Sequence, residues 1–188
     1  AFGGVLLGGG ELTLRRIGRM AAVGLFAAGL GTLYVTTYAA FSPSVFGLIS
    51  QQAGFGLLGA IAVLGLGITW RGRLPVIGVL SLLGGYGGPL LLSADPTSPL
   101  PLLIYMTTLL TIALGLSAAE PQTFRSLRYW GGAAHAVLAA LWLLNSGPAH
   151  WLTAMTLLTL WWVLLTAEAQ LAAMRGYSAR GNAVFSLL

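Results

Sequence analysis

The sequence predicts an all-α integral membrane protein. It reads as a polytopic bundle of about six full and two partial transmembrane spans, each full span needing ~20 mostly apolar residues. Three observations predict this. Of 188 residues, 57% are hydrophobic and only 7% are charged. A soluble domain carries about 25% charged residues, so this chain cannot solvate a globular surface. The apolar residues fall in long runs separated by short turns. Arginines occur only in every second turn, as expected if alternate turns share one side of a membrane.

Taken in order, Ala1-Phe2-Gly3-Gly4-Val5-Leu6-Leu7 resembles the tail of a span and lacks the basic n-region of a signal peptide. It ends near Gly8-Gly9-Gly10. Glu11 to Arg19 follows as a basic interfacial segment, one or two helical turns lying flat. The first full span runs from Met20 to Ala40. Pro43 is placed to open the next helix as its first residue, giving a second span from Val45 to Thr69. The Trp70-Arg71-Gly72-Arg73 turn ends it, with an aromatic and two guanidiniums suited to the headgroup layer.

The third span, Leu74 to Leu92, contains Gly84-Gly85-Tyr86-Gly87-Gly88-Pro89. Glycine weakens helix propensity, and proline removes a backbone donor and crowds the preceding turn. A kink or an unwound stretch is expected there. An uncharged-to-acidic loop, Ser93 to Ser98, leads to the fourth span, Leu100 to Leu116. Ser117 to Tyr129 is expected to be the longest connection. The fifth span runs from Trp130 to Leu144 and the sixth from His150 to Met174. Ala183 to Leu188 resembles the start of a further span, so a single transmembrane domain belonging to a longer protein is expected.

All nine basic residues are arginine, and the formal net charge is +5. Arg15, Arg16 and Arg19 lie in the first connection, Arg71 and Arg73 in the third. Arg125 and Arg128 lie in the fifth, Arg175 and Arg180 in the seventh. The positive-inside rule places these turns in the cytoplasm. Basic residues so distributed point to the lipid bilayer as partner and not to nucleic acid. Gly18-Arg19-Met20 and Gly72-Arg73-Leu74 begin matching stretches in which Gly31 aligns with Gly85. Basic turns recur roughly every 50 residues, a period that suggests an array of helical hairpins.

Few residues offer chemistry. There is no cysteine, and two histidines without a H-x-x-x-H spacing give no metal site. No cofactor is implied. Gly54-Phe55-Gly56-Leu57-Leu58-Gly59 spells G-x-G-x-x-G, but it lies inside an apolar span, where a dinucleotide loop has no place. Gly24, Ala28, Gly31, Gly56, Ala60, Gly65 and Gly67 read instead as close helix packing in lipid. Tyr34, Tyr38, Tyr86, Tyr105, Trp130, Trp151, Trp161 and Trp162 read mostly as interface belts or packing, and His150 as an interface residue.

Glu168 is the only acid inside a long apolar run, and such charges are functional candidates by default. It sits about 10 Å in from Arg175 at 1.5 Å per residue. The plain alternative is an interfacial carboxylate beside Arg175 or an arginine of another loop. His135 lies about 10 Å from its own basic turn by the same rise. The fifth and sixth spans should be antiparallel neighbours, so a His135–Glu168 hydrogen bond is one expectation, as a proton relay or as polar glue. The Gly84–Pro89 stretch is the other candidate, because unwound backbone in a span can coordinate a ligand, although with Pro89 near the outer end simple helix termination is the favoured reading.

Gly18-Arg19-Met20 with the glycines from Gly24 to Gly31, the stretch from Gly84-Gly85-Tyr86 to Leu92, and Arg175-Gly176 resemble the membrane proteins grouped as the domain of unknown function 2339 family. The resemblance covers most of the chain. It implies a bacterial inner-membrane location and a multi-span helical array, and it implies no catalytic residue and no substrate. The first functional expectation is therefore a transport or channel-like component using Glu168, His135 and Gly84–Pro89. The second is a structural or assembly subunit packing against other membrane proteins. A membrane-embedded enzyme ranks last, since convergent polar groups are scarce.

Overall fold

The computed structural model describes residues 2–41, 46–91, 100–145 and 151–179. Pro43, the Ser93–Ser98 loop, His150, Arg180 and the Ala183–Leu188 stretch lie outside them. The described residues form seven helices and no strand: α1 (Phe2–Arg16), α2 (Arg19–Phe41), α3 (Gln51–Gly72), α4 (Pro75–Leu91), α5 (Leu100–Ala119), α6 (Pro121–Asn145) and α7 (Trp151–Ala179). Among them, Arg19–Phe41, Ala53–Gly72, Leu102–Ala119 and Trp151–Leu171 are long and apolar enough to cross a membrane, and Pro75–Gly88 is apolar but shorter.

Four boundaries differ from expectation, each for a local reason. Glu11 to Arg16 is not a separate flat segment but the last turns of α1. Glu11 and Arg15 stand one turn apart and pair at 2.8 Å, which supports helix there. The second long helix begins at Gln51, not Val45, because Ser50 caps it, its side chain accepting from the Ala53 amide. The expected long connection from Ser117 to Tyr129 is almost all helix. Only Glu120 separates α5 from α6, where Pro121 occupies the first helical position that suits a residue without an amide hydrogen. Phe124, with φ −109° and ψ 19°, then bends α6. Finally, α4 runs unbroken through Gly84–Pro89.

The chain divides into two compact units, Ala1–Leu109 and Leu110–Leu188. In the first, α1 packs against α2 and α3 against α4 as hairpins. Gly3 and Gly29 let the α1 and α2 backbones touch: a Cβ on Gly29 would stand 3.1 Å from the Gly3 carbonyl, and one on Gly3 would stand 3.2 Å from that of Gly29. Gly10 gives room to the Phe26 ring. Ala22, Phe26 and Leu30 of α2 meet Ile61 of α3, with Leu74 and Ile77, in one buried cluster.

Both hairpin turns close alike. The Gly18 amide donates to the Thr13 carbonyl at 3.0 Å, and the Leu74 amide to that of Thr69 at 3.1 Å. These bonds equate Gly18 with Leu74 and Arg15 with Arg71. The sequence match of Gly18 with Gly72 is thus two residues out of the structural register. Gly31 and Gly85 are not equivalent either: a Cβ on Gly31 meets open space, while one on Gly85 meets Leu109 and Ala62.

In the second unit α7 buries a narrow seam, Ala154, Trp161 and Glu168. Those residues recur every seventh position, the spacing that keeps a seam on one partner. Much of its remaining apolar surface, including Leu152 and Trp162, is exposed.

Candidate functional site

Two polar side chains of the second unit converge on Glu168, which is only 3% exposed. A carboxylate so placed in an apolar helix requires compensation. Two helices supply it. Ser117 of α5, itself buried, donates its hydroxyl to Glu168 Oε1 at 2.8 Å. Arg128 of α6 brings Nε to 3.1 Å from Oε2. That distance makes an ion pair, but Oε2 has no aligned hydrogen bond. The Arg128 side chain is 36% exposed, so it spans from the buried carboxylate to the surface, as long arginine stems do.

Next to Arg128, Tyr129 is exposed. Arg125 donates to its hydroxyl at 3.4 Å. That bond first, then the Arg125 charge, holds the phenol below its ordinary range. His135 is buried on another turn of α6, its ring edge-on to Trp161 at 4.2 Å between centroids. Trp161 precedes Glu168 by two turns of α7, about 10 Å along the axis. The contacts described are those of His135 with an indole and of Glu168 with Ser117 and Arg128.

The first unit carries a second polar arrangement, around α4. Tyr34 of α2 donates to the Ser81 carbonyl at 2.9 Å, and Tyr105 of α5 donates to that of Gly85 at 2.7 Å. Helical geometry explains the second bond. The Gly85 carbonyl would normally accept from residue 89, but that residue is Pro89 and has no amide hydrogen. Tyr105 takes the missing donor's place, so α4 continues where the sequence predicts a break.

The glycines of this stretch serve contact rather than unwinding. A Cβ on Gly84 would come within 2.5 Å of the Tyr34 ring, one on Gly88 within 2.8 Å of Leu58, and one on Gly85 within 3.0 Å of Leu109. Gly87 alone of the four faces open space. Tyr86 is buried, its hydroxyl 3.4 Å from the Met106 carbonyl. Tyr34, Tyr86 and Tyr105 are thus donors between helices, a use the sequence does not announce.

A family model described as predicted membrane protein (DUF2339) matches residues 1–187. The chain belongs to the DUF2339 family. No curated protein and no solved structure matches it. Membership agrees with the apolar helices and identifies a membrane protein of unknown function.

Most described arginines of this DUF2339 chain lie near helix ends. Arg15, Arg16, Arg19, Arg71, Arg73 and Arg125 are exposed and Arg128 is half-buried. Arg175 lies within α7. Glu11 joins the first two arginine turns, because its Oε1 accepts from both Arg15 Nε and Arg71 Nη2, at 2.8 and 2.7 Å. The glycines expected to pack helices divide. Gly65 lies against Ser81, whereas Gly24, Gly31, Gly56 and Gly67 have nothing within 4 Å of a modest added Cβ. Within the G-x-G-x-x-G, Gly54 lies against Phe41 and Gly59 against Tyr105, so two of its glycines are packing positions on α3.

Proposed function

We propose that this chain is a structural or assembly module, multi-pass in the membrane, which packs against further apolar helices. The observation that carries this is an outward small-residue face on two helices. Gly24, Ala28 and Gly31 of α2, and Gly56 and Ala60 of α3, are exposed at helical spacing, and the three glycines have open space where a Cβ would stand. Lipid tails gain nothing from small side chains, whereas a second helix can approach the bare backbone closely.

The transport reading has weaker support. Two of its three candidates have other employment: the Gly84–Pro89 helix is continuous and clasped by Tyr34 and Tyr105, and Glu168 is held by Ser117 and Arg128. The arginine-bearing ends are assigned to the cytoplasmic side on the positive-inside rule, and the membrane to a bacterial inner membrane on the family resemblance; the Glu11 bridge, which gathers two of those turns at one end, supports the first.

The test is the size of the native complex in solubilised membranes. Gly56→Leu should insert and fold yet run as a smaller species than the unmodified chain. An unchanged complex, together with loss of a transport phenotype in normally inserted Glu168→Gln, would favour transport and sink the assembly reading.

A further inference from the structure

A cavity of about 250 Å³ opens in the first unit between α1, α2 and α3. Its walls change character from one end to the other. Glu11 and Arg71 stand at one end, and Leu14, Phe26, Leu64 and Ile68 supply apolar lining. Arg71 lies in the last turn of α3, at the end of the candidate span Ala53–Gly72. Leu64 lies two turns before it, about 10 Å deeper along the helix axis. The exposed Trp70 beside Arg71 fits headgroup level. The space is therefore polar at the membrane surface and apolar below it.

Charge points the same way. One carboxylate oxygen, Glu11 Oε1, is shared by the Arg15 and Arg71 guanidiniums, and both arginine side chains remain 65% exposed. Two cations against one anion leave an excess positive charge at the mouth. Guanidinium matches phosphate oxygens in planar, two-pronged geometry.

We propose that this cavity seats an anionic phospholipid. Its phosphate lies on Arg71 and Arg15, and the upper part of one acyl chain runs down α3 past Gly67 towards Leu64. The cavity is smaller than the ~300–1,000 Å³ that encloses a drug-sized ligand. It thus takes the glycerophosphate and first methylenes while the remaining chain stays in the bilayer. Gly67 keeps the channel open, since an added Cβ there meets nothing within 4 Å.

The test uses the full chain, purified in non-ionic detergent, with phosphatidylglycerol or phosphatidylcholine of identical acyl chains. Bound lipid is counted by native mass spectrometry. The unmodified chain should retain one phosphatidylglycerol, and phosphatidylcholine about tenfold less, because its phosphate is the same but its quaternary ammonium brings a further cation to an already positive mouth. Arg71→Gln should lower phosphatidylglycerol retention about tenfold through the charge. Gly67→Leu should do so by filling the channel, and Gly87→Leu, away from the cavity, should not. Inorganic phosphate at millimolar concentration should not displace the lipid. Equal retention of the two lipids, unchanged retention in folded Gly67→Leu, or displacement by phosphate alone would each overturn the proposal. Should Arg71→Gln lose its cooperative thermal transition, Gly67→Leu decides, because its new side chain enters existing space.

Discussion

Arg128 and Glu168, on different helices, form an ion pair of 3.1 Å in which the carboxylate is buried and the guanidinium reaches the surface. The asymmetry sets the expected effects of mutation. Among the described residues, Arg128→Gln leaves the buried charge with the Ser117 hydroxyl alone. Removing one partner of a buried pair costs about 3–5 kcal/mol, and the partial exposure of Arg128 places this case at the lower end. Arg128→Gln with Glu168→Gln together should recover much of the loss, because no unpaired charge remains. Thermal unfolding in detergent measures it. Equal transitions for the single Arg128 variant and the double variant would show that the pair is not coupled.

Tyr105→Phe removes the donor that serves the Gly85 carbonyl. The cost should be about 0.5–2 kcal/mol, the range for hydrogen bonds between membrane helices. Pro89→Ala restores an amide hydrogen to the same carbonyl, so Tyr105→Phe should cost clearly less in that background. A double-mutant cycle reads the difference. The same cost in both backgrounds would refute the substitution of tyrosine for the missing amide.

Neighbouring glycines of α4 should respond with opposite sign. Gly84→Ala drives a methyl into the Tyr34 ring and should destabilise by about 1–3 kcal/mol, as overpacking does. Gly87→Ala meets nothing and should be neutral or stabilise by up to about 1 kcal/mol, because alanine is the better helix former. Chemical denaturation in mixed micelles distinguishes them. Equal effects would mean that the Tyr34 contact is absent.

The same contrast applies on α2. Gly29→Leu meets Leu7 and the Gly3 backbone and should prevent folding of the α1–α2 hairpin. Gly24→Leu, in open space, should leave folding intact and alter only association with other helices. Protease resistance of membrane-inserted protein checks the first effect, and native complex size the second. Equal protease sensitivity of the two variants would contradict the inward and outward assignments.

The helical class and the positions of the hairpin turns are legible in the sequence, because both follow from local runs of apolar residues ended by arginine or glycine. What is lost is what depends on distant partners. Pro89 reads as a helix breaker until Tyr105 is placed beside Gly85. Composition marks glycines as packing residues without saying which way they face, so Gly65 and Gly67 look alike though one abuts Ser81 and the other is open. The polar run from Glu120 to Arg128 resembles a loop, yet helix is compatible with charges wherever their side chains find water or a carboxylate. Glu168 stands out as a lone acid. Ser117 gives no local sign of its role, since a single hydroxyl in an apolar helix commonly bonds its own backbone, as Ser81 does to Ile77.

The Tyr105 bond also bears on the order in which the chain is made. When α4 leaves the ribosome, α5 has yet to be synthesised, and the Gly85 carbonyl has neither an amide from Pro89 nor a phenol. In hydrocarbon an unmet backbone group costs several kcal/mol. The Tyr105 hydroxyl reaches that carbonyl only once α5 has been made, which would favour entry of α4 together with α5 over entry of α4 alone.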